Sequence, residues 1–371
     1  MLSLIEFNLL KIRLSSLKKT ISYCGGDGVG PEVVDEGLKV LRMISEYSDF
    51  EFEFREVPGG GAAYKQFGTS LPKKSFETIK TSDAFLFGAA GLPDLPPGTA
   101  ELIVLLVRQR LDLYVNLRPI KLYDSLRDRC PLKDDFIGKG IDIAFVRENT
   151  EGLYANKGSV LKDDIAENLM VVTRKGCERI INYAFEYAKQ RGHSKVTSVD
   201  KANVLSPSKL WRRIFHEIGD KHPHIEKEDI FIDAFCQWLI RKPDSFQTVV
   251  TGNMFGDIIS DEGAFLIGSL GMASSGNIHP GKVSMYEPIH GSAPDIGGKG
   301  IANPIGAILS VKLMMQESFQ SPEIARDIEN SVEEALKKGR TIDIENPNIK
   351  TLTTRKFGDL IAEELKVTLK G

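Results

Sequence analysis

Short apolar runs alternate along the chain with glycine-, proline- or acid-rich breaks, and most breaks lead into residues with helical spacing. Thr20–Cys24 reads as a strand, and GGDGVGPEV turns it into a helix that continues through Leu38–Ile44, with Pro31 suited to a first helical turn. Phe50–Glu56 alternates apolar and charged residues with the period of a half-buried strand. Ala84–Phe87 predicts a short buried strand before the loop GAAGLPDLPPG, and the spacing from Thr99 to Leu113 predicts a helix. Further strands are expected at Ile141–Val146, Lys195–Val199 and Ile230–Ile232. Thr248–Thr251 reads as the end of a buried strand that feeds a helix in GNMFGDIISDEG. Alternation of this kind is the α/β class.

Length and charge narrow the picture. At 371 residues the chain exceeds one compact core, so two domains are expected. Lys and Arg total 48 against 51 Asp and Glu, which leaves no electrostatic case for nucleic acid or an anionic membrane. Cys24, Cys130, Cys177 and Cys236 form no CxxC pair, which suits a reducing, cytoplasmic setting. No apolar run approaches the ~20 residues that span a bilayer. Residues 1–17 mix Leu and Ile with Lys11 and Arg13 and weakly resemble a transit peptide. Glu6 and the lack of a small-residue cleavage site count against export, so they read as an extra N-terminal segment. His222 and His224 read as a polar loop.

Several stretches carry candidate chemistry. Glycines at 25, 26, 28 and 30, followed by Pro31, do not have the spacing of a Rossmann dinucleotide turn. Asp257 and Asp261 stand four apart, on one helical face. They form either a solvated acidic helix start or a pair of oxygen ligands for a hard divalent cation. Glu101, Val104, Leu105 and Arg108 share a face of the expected helix. That face is either a core stripe with charged ends or a surface holding a carboxylate on the Arg fork and an aliphatic branch on Val and Leu. Arg118 in NLRP and Arg147 in FVRENTEGLY follow, with Tyr154 seven residues after Arg147. Three arginines near strand ends suggest a di- or tricarboxylate ligand. Lys201 in SVDKANVL and Asp233 in FIDAF sit at strand ends. YEPIHGSAPDIGGKGIANP, with His290, Asp295 and Asn303, has the composition of a nucleotide-binding loop.

Taken in order, GDGVGPEV, the Arg108-to-NLRP segment, VRENTEGLY, VDKAN, GNMFGDIISDEG and EPIHGSAPDIGGKGIANP resemble the β-decarboxylating dehydrogenases, the isocitrate/isopropylmalate dehydrogenase family, over roughly residues 19–365. The resemblance implies a two-domain isopropylmalate-dehydrogenase-like α/β fold with a non-Rossmann cofactor site. Residues 1–114 and 268–371 would form a large cofactor-binding domain. Residues 115–267 would form a small domain with dimer contacts and the metal and substrate residues. It implies a homodimer whose active sites borrow Lys201 and Asp233 from the partner. NAD would bind at Glu287, His290, Gly291, Ser292, Ala293, Asp295 and Asn303, and Mg2+ or Mn2+ at Asp233, Asp257 and Asp261. Glu101, Val104, Leu105, Arg108, Arg118 and Arg147 would bind the substrate, Lys201 would act as base and Tyr154 as acid. Asp295 on the ribose would accept from both hydroxyls and repel a 2′-phosphate, favouring NAD over NADP.

Val104 and Leu105 suit the isopropyl group of 3-isopropylmalate, and LRPIKLY and TRKGCERIINYAFEYA resemble that subgroup. RENTEGLY, with Asn149, occurs also among isocitrate and homoisocitrate enzymes. The expected substrate is 3-isopropylmalate, with isocitrate, homoisocitrate, tartrate or malate as alternatives. A noncatalytic regulatory subunit of the family is a further alternative, against which stands the full candidate residue set.

Overall fold

The computed structural model describes residues 17–370, so the reading of the N-terminal segment lies outside the described residues except for Leu17, which opens the first strand. In chain order the strands that matter below are β1 (Leu17–Gly26), β2 (Phe50–Glu56), β3 (Ala84–Ala89), β4 (Val115–Lys121), β5 (Asp142–Glu148), β6 (Gly152–Leu161), β7 (Ala166–Val171), β8 (Lys195–Asp200), β9 (Glu226–Phe231), β10 (Thr248–Thr251), β11 (Ser274–Ile278) and β12 (Ser284–Pro288). The helices that matter below are α1 (Gly30–Tyr47), α2 (Leu102–Arg110), α3 (Arg174–Arg191), α4 (Ser206–Gly219), α5 (Ile232–Arg241), α6 (Asn253–Leu266) and α7 (Ile305–Glu317). The chain divides into two compact units: the described residues up to Ile103 with those from Pro280 onward, and Val104–His279.

In the first unit β1 pairs in parallel with β2 and β3, and β3 with β12. Every residue of β3 is buried, as expected for a continuous apolar run inside a parallel sheet. β2 buries Phe50 and turns its glutamates outward at the sheet edge, where charges discourage further pairing. α1 opens with Pro31 in its first turn and buries Val33, Val34, Leu38, Leu41 and Ile44.

In the second unit β4 is antiparallel to both β11 and β5, while β5, β10, β8 and β9 run parallel in that order. β6 and β7 form a separate antiparallel hairpin. The unit is wider than the span 115–267 placed from sequence, because β11 pairs with β4 (Asn277↔Asn116) and draws residues up to His279 into it.

Two elements differ from expectation. The helix expected over Thr99–Leu113 is the shorter α2, with Glu101 still in the preceding turn and Asp112 beyond its end at φ +51°. Ile232 opens α5 rather than closing β9, so Asp233 lies in a first helical turn, where its charge complements the helix dipole. Among the described residues no helix is long and apolar enough to cross a membrane.

Candidate active site

The antiparallel register of β4 and β5 sets Asn116 opposite Arg147 and Arg118 opposite Phe145, and both arginines reach α6. The first turn of α6 supplies Asn253, whose Oδ1 accepts from Arg147 Nε at 3.1 Å and Nη2 at 2.7 Å. One turn on, Asp257 Oδ1 accepts from Arg147 Nη1 at 2.5 Å, and Arg118 Nη2 stands 3.4 Å away. A further turn on, Arg118 Nη1 donates to Ser260 Oγ at 2.8 Å and Asp261 Oδ1 at 2.9 Å. Tyr154 Oη donates to Asp257 Oδ2 at 3.1 Å, and its ring lies 5.7 Å from the Arg147 guanidinium. Gly256 makes room for this packing, since a Cβ there would stand 2.6 Å from Arg147 Cγ.

The helical spacing of Asp257 and Asp261 therefore brings the two carboxylates to one place, with two arginines between them and the strands. Burial raises the Asp257 carboxyl, but Arg147, Arg118, Tyr154 and Arg108 outweigh it and hold it below the usual carboxylate range. At Asp261 burial wins: Arg118 offsets part of it, the Asp257 charge adds to it, and the carboxyl is pushed up. Arg147 is lowered to about 9 by burial and by Arg118, which still leaves it charged at neutral pH. Burial and Asp257 raise the Tyr154 phenol, so it keeps its proton.

Beside this cluster is a pocket lined by Leu105, Arg108, Gln109, Asn149, Thr150, Tyr154, Ala155 and Asn253. The core face of α2 is Ile103 and Val107, which frees Leu105 and Arg108 for the pocket. Glu101 and Val104 do not line it. Asn149 Nδ2 donates to Leu113 O at 2.9 Å and Asn277 Oδ1 at 3.0 Å, so both amide protons are used, and Oδ1 has no partner among the described residues.

Lys201 and Asp233 form an ion pair of their own, and the hydrogen bond from Lys201 holds the Asp233 carboxyl below its usual range. Lys201 follows Asp200, which takes two hydrogen bonds from Arg212 of α4. Within the single chain Asp233 does not join Asp257 and Asp261: among the described residues no three acidic, Cys or His side chains are grouped to hold a metal. The two α6 carboxylates still offer the hard oxygen donors that Mg2+ and Mn2+ prefer, and such ions often take only one or two protein carboxylates.

The expected cofactor residues follow β12. Glu287 is buried within the strand, while Gly291, Ala293 and Asp295 are exposed. The loop is anchored through its backbone. Ser292 O accepts from Val29 N at 2.8 Å, and a Cβ on Gly28 (φ +59°) would lie 1.9 Å from that oxygen. The early glycines thus allow two loops to touch, which explains their departure from Rossmann spacing. Asp27 fixes the same turn by accepting from the backbone N–H groups of Gly61, Ala62 and Gly91. Asn303 Oδ1 accepts from Ile305 N at 3.0 Å at the start of α7, and its Nδ2 donates to Asp343 at 3.1 Å. His290 Nδ1 lies 2.9 Å from Gly291 O, so Nδ1 carries the proton and Nε2 is an acceptor. Nε2 and Asp343 Oδ1 are buried without partners among the described residues, and burial lowers the His290 pKa. Buried acceptors beside an exposed Asp295 suit the hydroxyl and amino donors of a nucleoside.

Sequence reasoning had not assigned roles to Asp27, Gln109, Thr150, Asn253, Ser260 or Asp343. Asn253 and Ser260 lie inside the stretch that carries Asp257, and their helical spacing from it was the available signal. Asp27 and Asp343 are recognisable only through partners distant in sequence.

A profile of the family described as isocitrate/isopropylmalate dehydrogenase matches residues 20–361. The chain is 43% identical over 353 residues to the 3-isopropylmalate dehydrogenase of Clostridium acetobutylicum, covering 93% of this chain and 99% of that protein. Identity to the 3-isopropylmalate dehydrogenase of Thermotoga maritima is 44% over 352 residues, again 93% and 99%. Among solved structures, isocitrate dehydrogenase from Methylococcus capsulatus superposes with a TM-score of 0.84 at 35% identity, covering 94% of this chain and 99% of that one. A beta-decarboxylating dehydrogenase from Thermococcus kodakarensis does so with 0.77 at 36% identity, covering 94% and 96%.

Proposed function

Because the chain belongs to the isocitrate/isopropylmalate dehydrogenase family, we propose that it oxidises and decarboxylates 3-isopropylmalate to 4-methyl-2-oxopentanoate with NAD, a step of leucine biosynthesis in the cytoplasm. The observation that carries the choice of substrate is the pocket wall. Leu105 offers an aliphatic surface next to Arg108, and Asn149 offers only an acceptor oxygen. A branch without charge fits such a wall, whereas a further carboxylate would meet like polarity. Oxidation of isocitrate is the second reading, favoured by the structural likeness to that enzyme from Methylococcus capsulatus.

In this reading Arg108, Arg118 and Arg147 bind and orient the substrate carboxylates. Asp257 and Asp261, joined by Asp233 of the partner subunit, would hold Mg2+ or Mn2+, whose chemistry is to draw electron density from substrate oxygen. NAD would lie against the segment from Glu287 to Asn303 and supplies the hydride acceptor. Lys201 of the partner subunit, in its neutral amine form, accepts the C2 hydroxyl proton as the C2 hydrogen leaves as hydride. The bond from C3 to its carboxylate then breaks, CO2 departs, and Tyr154 donates the proton that ends on C3. Its raised pKa keeps that proton available.

Apolar exposure supports the second copy. Ile258 (55% exposed) and Phe265 (64%) share a face of α6, Trp238 is exposed on α5, and Leu161 of the β6–β7 hairpin is 86% exposed. Large apolar side chains left open together mark an association surface. The functional reading is tested by NADH formation with Mg2+ or Mn2+ on 3-isopropylmalate, isocitrate, homoisocitrate, tartrate and malate in parallel. The highest kcat/KM on 3-isopropylmalate is expected; a higher value on isocitrate would replace this reading with the second.

A further inference from the structure

Besides Asn253 of α6, two separate pieces of chain line the substrate pocket: Leu105, Arg108 and Gln109 on α2, and Asn149, Thr150, Tyr154 and Ala155 after β5. What fixes their separation lies outside the pocket. Arg179, on α3, donates from Nη1 to both oxygens of Asp112 at 2.9 and 3.0 Å, and from Nη2 to Thr150 Oγ1. Its guanidinium lies 4.5 Å from the centre of the Tyr114 ring.

Both ends of this bridge are themselves held tightly. Asp112 caps the turn after α2 at φ +51°, a strained setting for a non-glycine residue, and His279 Nδ1 donates to its carbonyl at 2.8 Å. The next residue, Leu113, returns a backbone bond to Arg108 O at 2.9 Å, tying the turn to a pocket-lining residue. At the other end Glu148, buried, accepts from Thr150 N at 3.0 Å, Thr150 Oγ1 at 2.7 Å and Glu151 N at 2.7 Å. A planar guanidinium that serves a carboxylate, a hydroxyl and an aromatic face together has little freedom to shift.

We infer that Arg179 is a positioning residue that sets the width of the substrate pocket by bracing the Asp112 turn against the Thr150 loop. The proposal takes its substrate from the reading above, but its geometry does not depend on that choice. Displacements of about an ångström in a binding site cost up to about 100-fold in rate. The backbone bond from Asn149 N to Tyr114 O at 3.1 Å survives loss of Arg179, so a smaller effect is expected here.

Steady-state kinetics and amide hydrogen exchange on Arg179→Gln, Arg179→Lys and Asp112→Asn decide the matter. Arg179→Gln should raise KM for 3-isopropylmalate about 10-fold, leave KM for NAD unchanged and change kcat by less than about 3-fold. Arg179→Lys should recover part of the loss. Asp112→Asn should give a milder form of the same defect and combine non-additively with Arg179→Gln. Exchange at Thr150 and Glu151 should speed up about 10-fold or more in Arg179→Gln without any substrate. Equal rises in both KM values with a lowered Tm would reduce Arg179 to a general stabiliser and overturn the proposal, as would unchanged exchange at Thr150. If Arg179→Gln fails to fold, Asp112→Asn carries the same two readouts. A native protein inactive on 3-isopropylmalate would overturn the substrate reading alone, and the exchange result would still decide on Arg179.

Discussion

The Asp257 cluster and the Lys201–Asp233 pair are both charged, yet the chain treats them oppositely. Asp257 and Asp261 sit against arginines that are nearly inaccessible, with Asn253, Ser260 and Tyr154 completing the shell. Lys201, which also lies 6.0 Å from the centre of the Phe231 ring, pairs with an Asp233 that is mostly exposed. An exposed ion pair contributes little to stability, so stability does not explain the second arrangement. The contrast fits a site of which one chain builds a finished half and presents the remaining residues outward for another copy.

Replacing Asp257 with Asn removes a proposed cation ligand and leaves the buried Arg147 without its counter-charge. kcat/KM should fall by about 1,000-fold or more, and Mn2+ affinity measured by titration calorimetry should fall with it. Retention of most activity would remove Asp257 from the chemistry. Tyr154→Phe should cost about 100-fold by removing the proposed proton donor. Since the Tyr154 phenol is raised and, in the proposed role, its protonated form does the work, its titration should add a limb above the ordinary tyrosine range, beyond the one that Arg147, lowered to about 9, sets first. Asp295→Lys should shift the preference from NAD towards NADP by about 10-fold or more. An unmoved preference would displace Asp295 from the ribose.

The smallest effect concerns stability. The Asp257 carboxyl is depressed in the folded chain, so its contribution is present above the unfolded carboxylate pKa and is lost as pH falls through the folded value. Asp261 is raised, so its charge costs stability at neutral pH, and the cost lifts as pH falls. Asp261→Asn should therefore raise the neutral-pH Tm by about 1–3 °C, while Asp257→Asn lowers it. Shifts of the same sign would contradict the division between the two carboxylates.

What could be read in advance depended on range. Strand β3, the edge alternation of β2 and the i, i+4 pair on α6 are local patterns, and each lies where its pattern predicts. The ends of α2 were harder to read, because Asp112 stops the helix through a left-handed turn held by Arg179 and His279, from elsewhere in the chain. Gly28 is similar: its spacing excluded a Rossmann turn, but only the contact with Ser292 explains why it is glycine. Asn149 was ambiguous for a different reason. Its motif RENTEGLY occurs also among isocitrate and homoisocitrate enzymes, while its hydrogen bonds commit both donors to Leu113 and Asn277.

Mixing two inactive variants addresses the half-site account most directly. Lys201→Ala and Asp257→Asn chains, each purified and then unfolded and refolded together, should regain about a quarter of native activity. Half the random dimers would be mixed, and each mixed dimer would hold one intact site. If Lys201 served its own chain, every site in the mixture would lack one of the two residues, and activity would stay at the level of the separate variants.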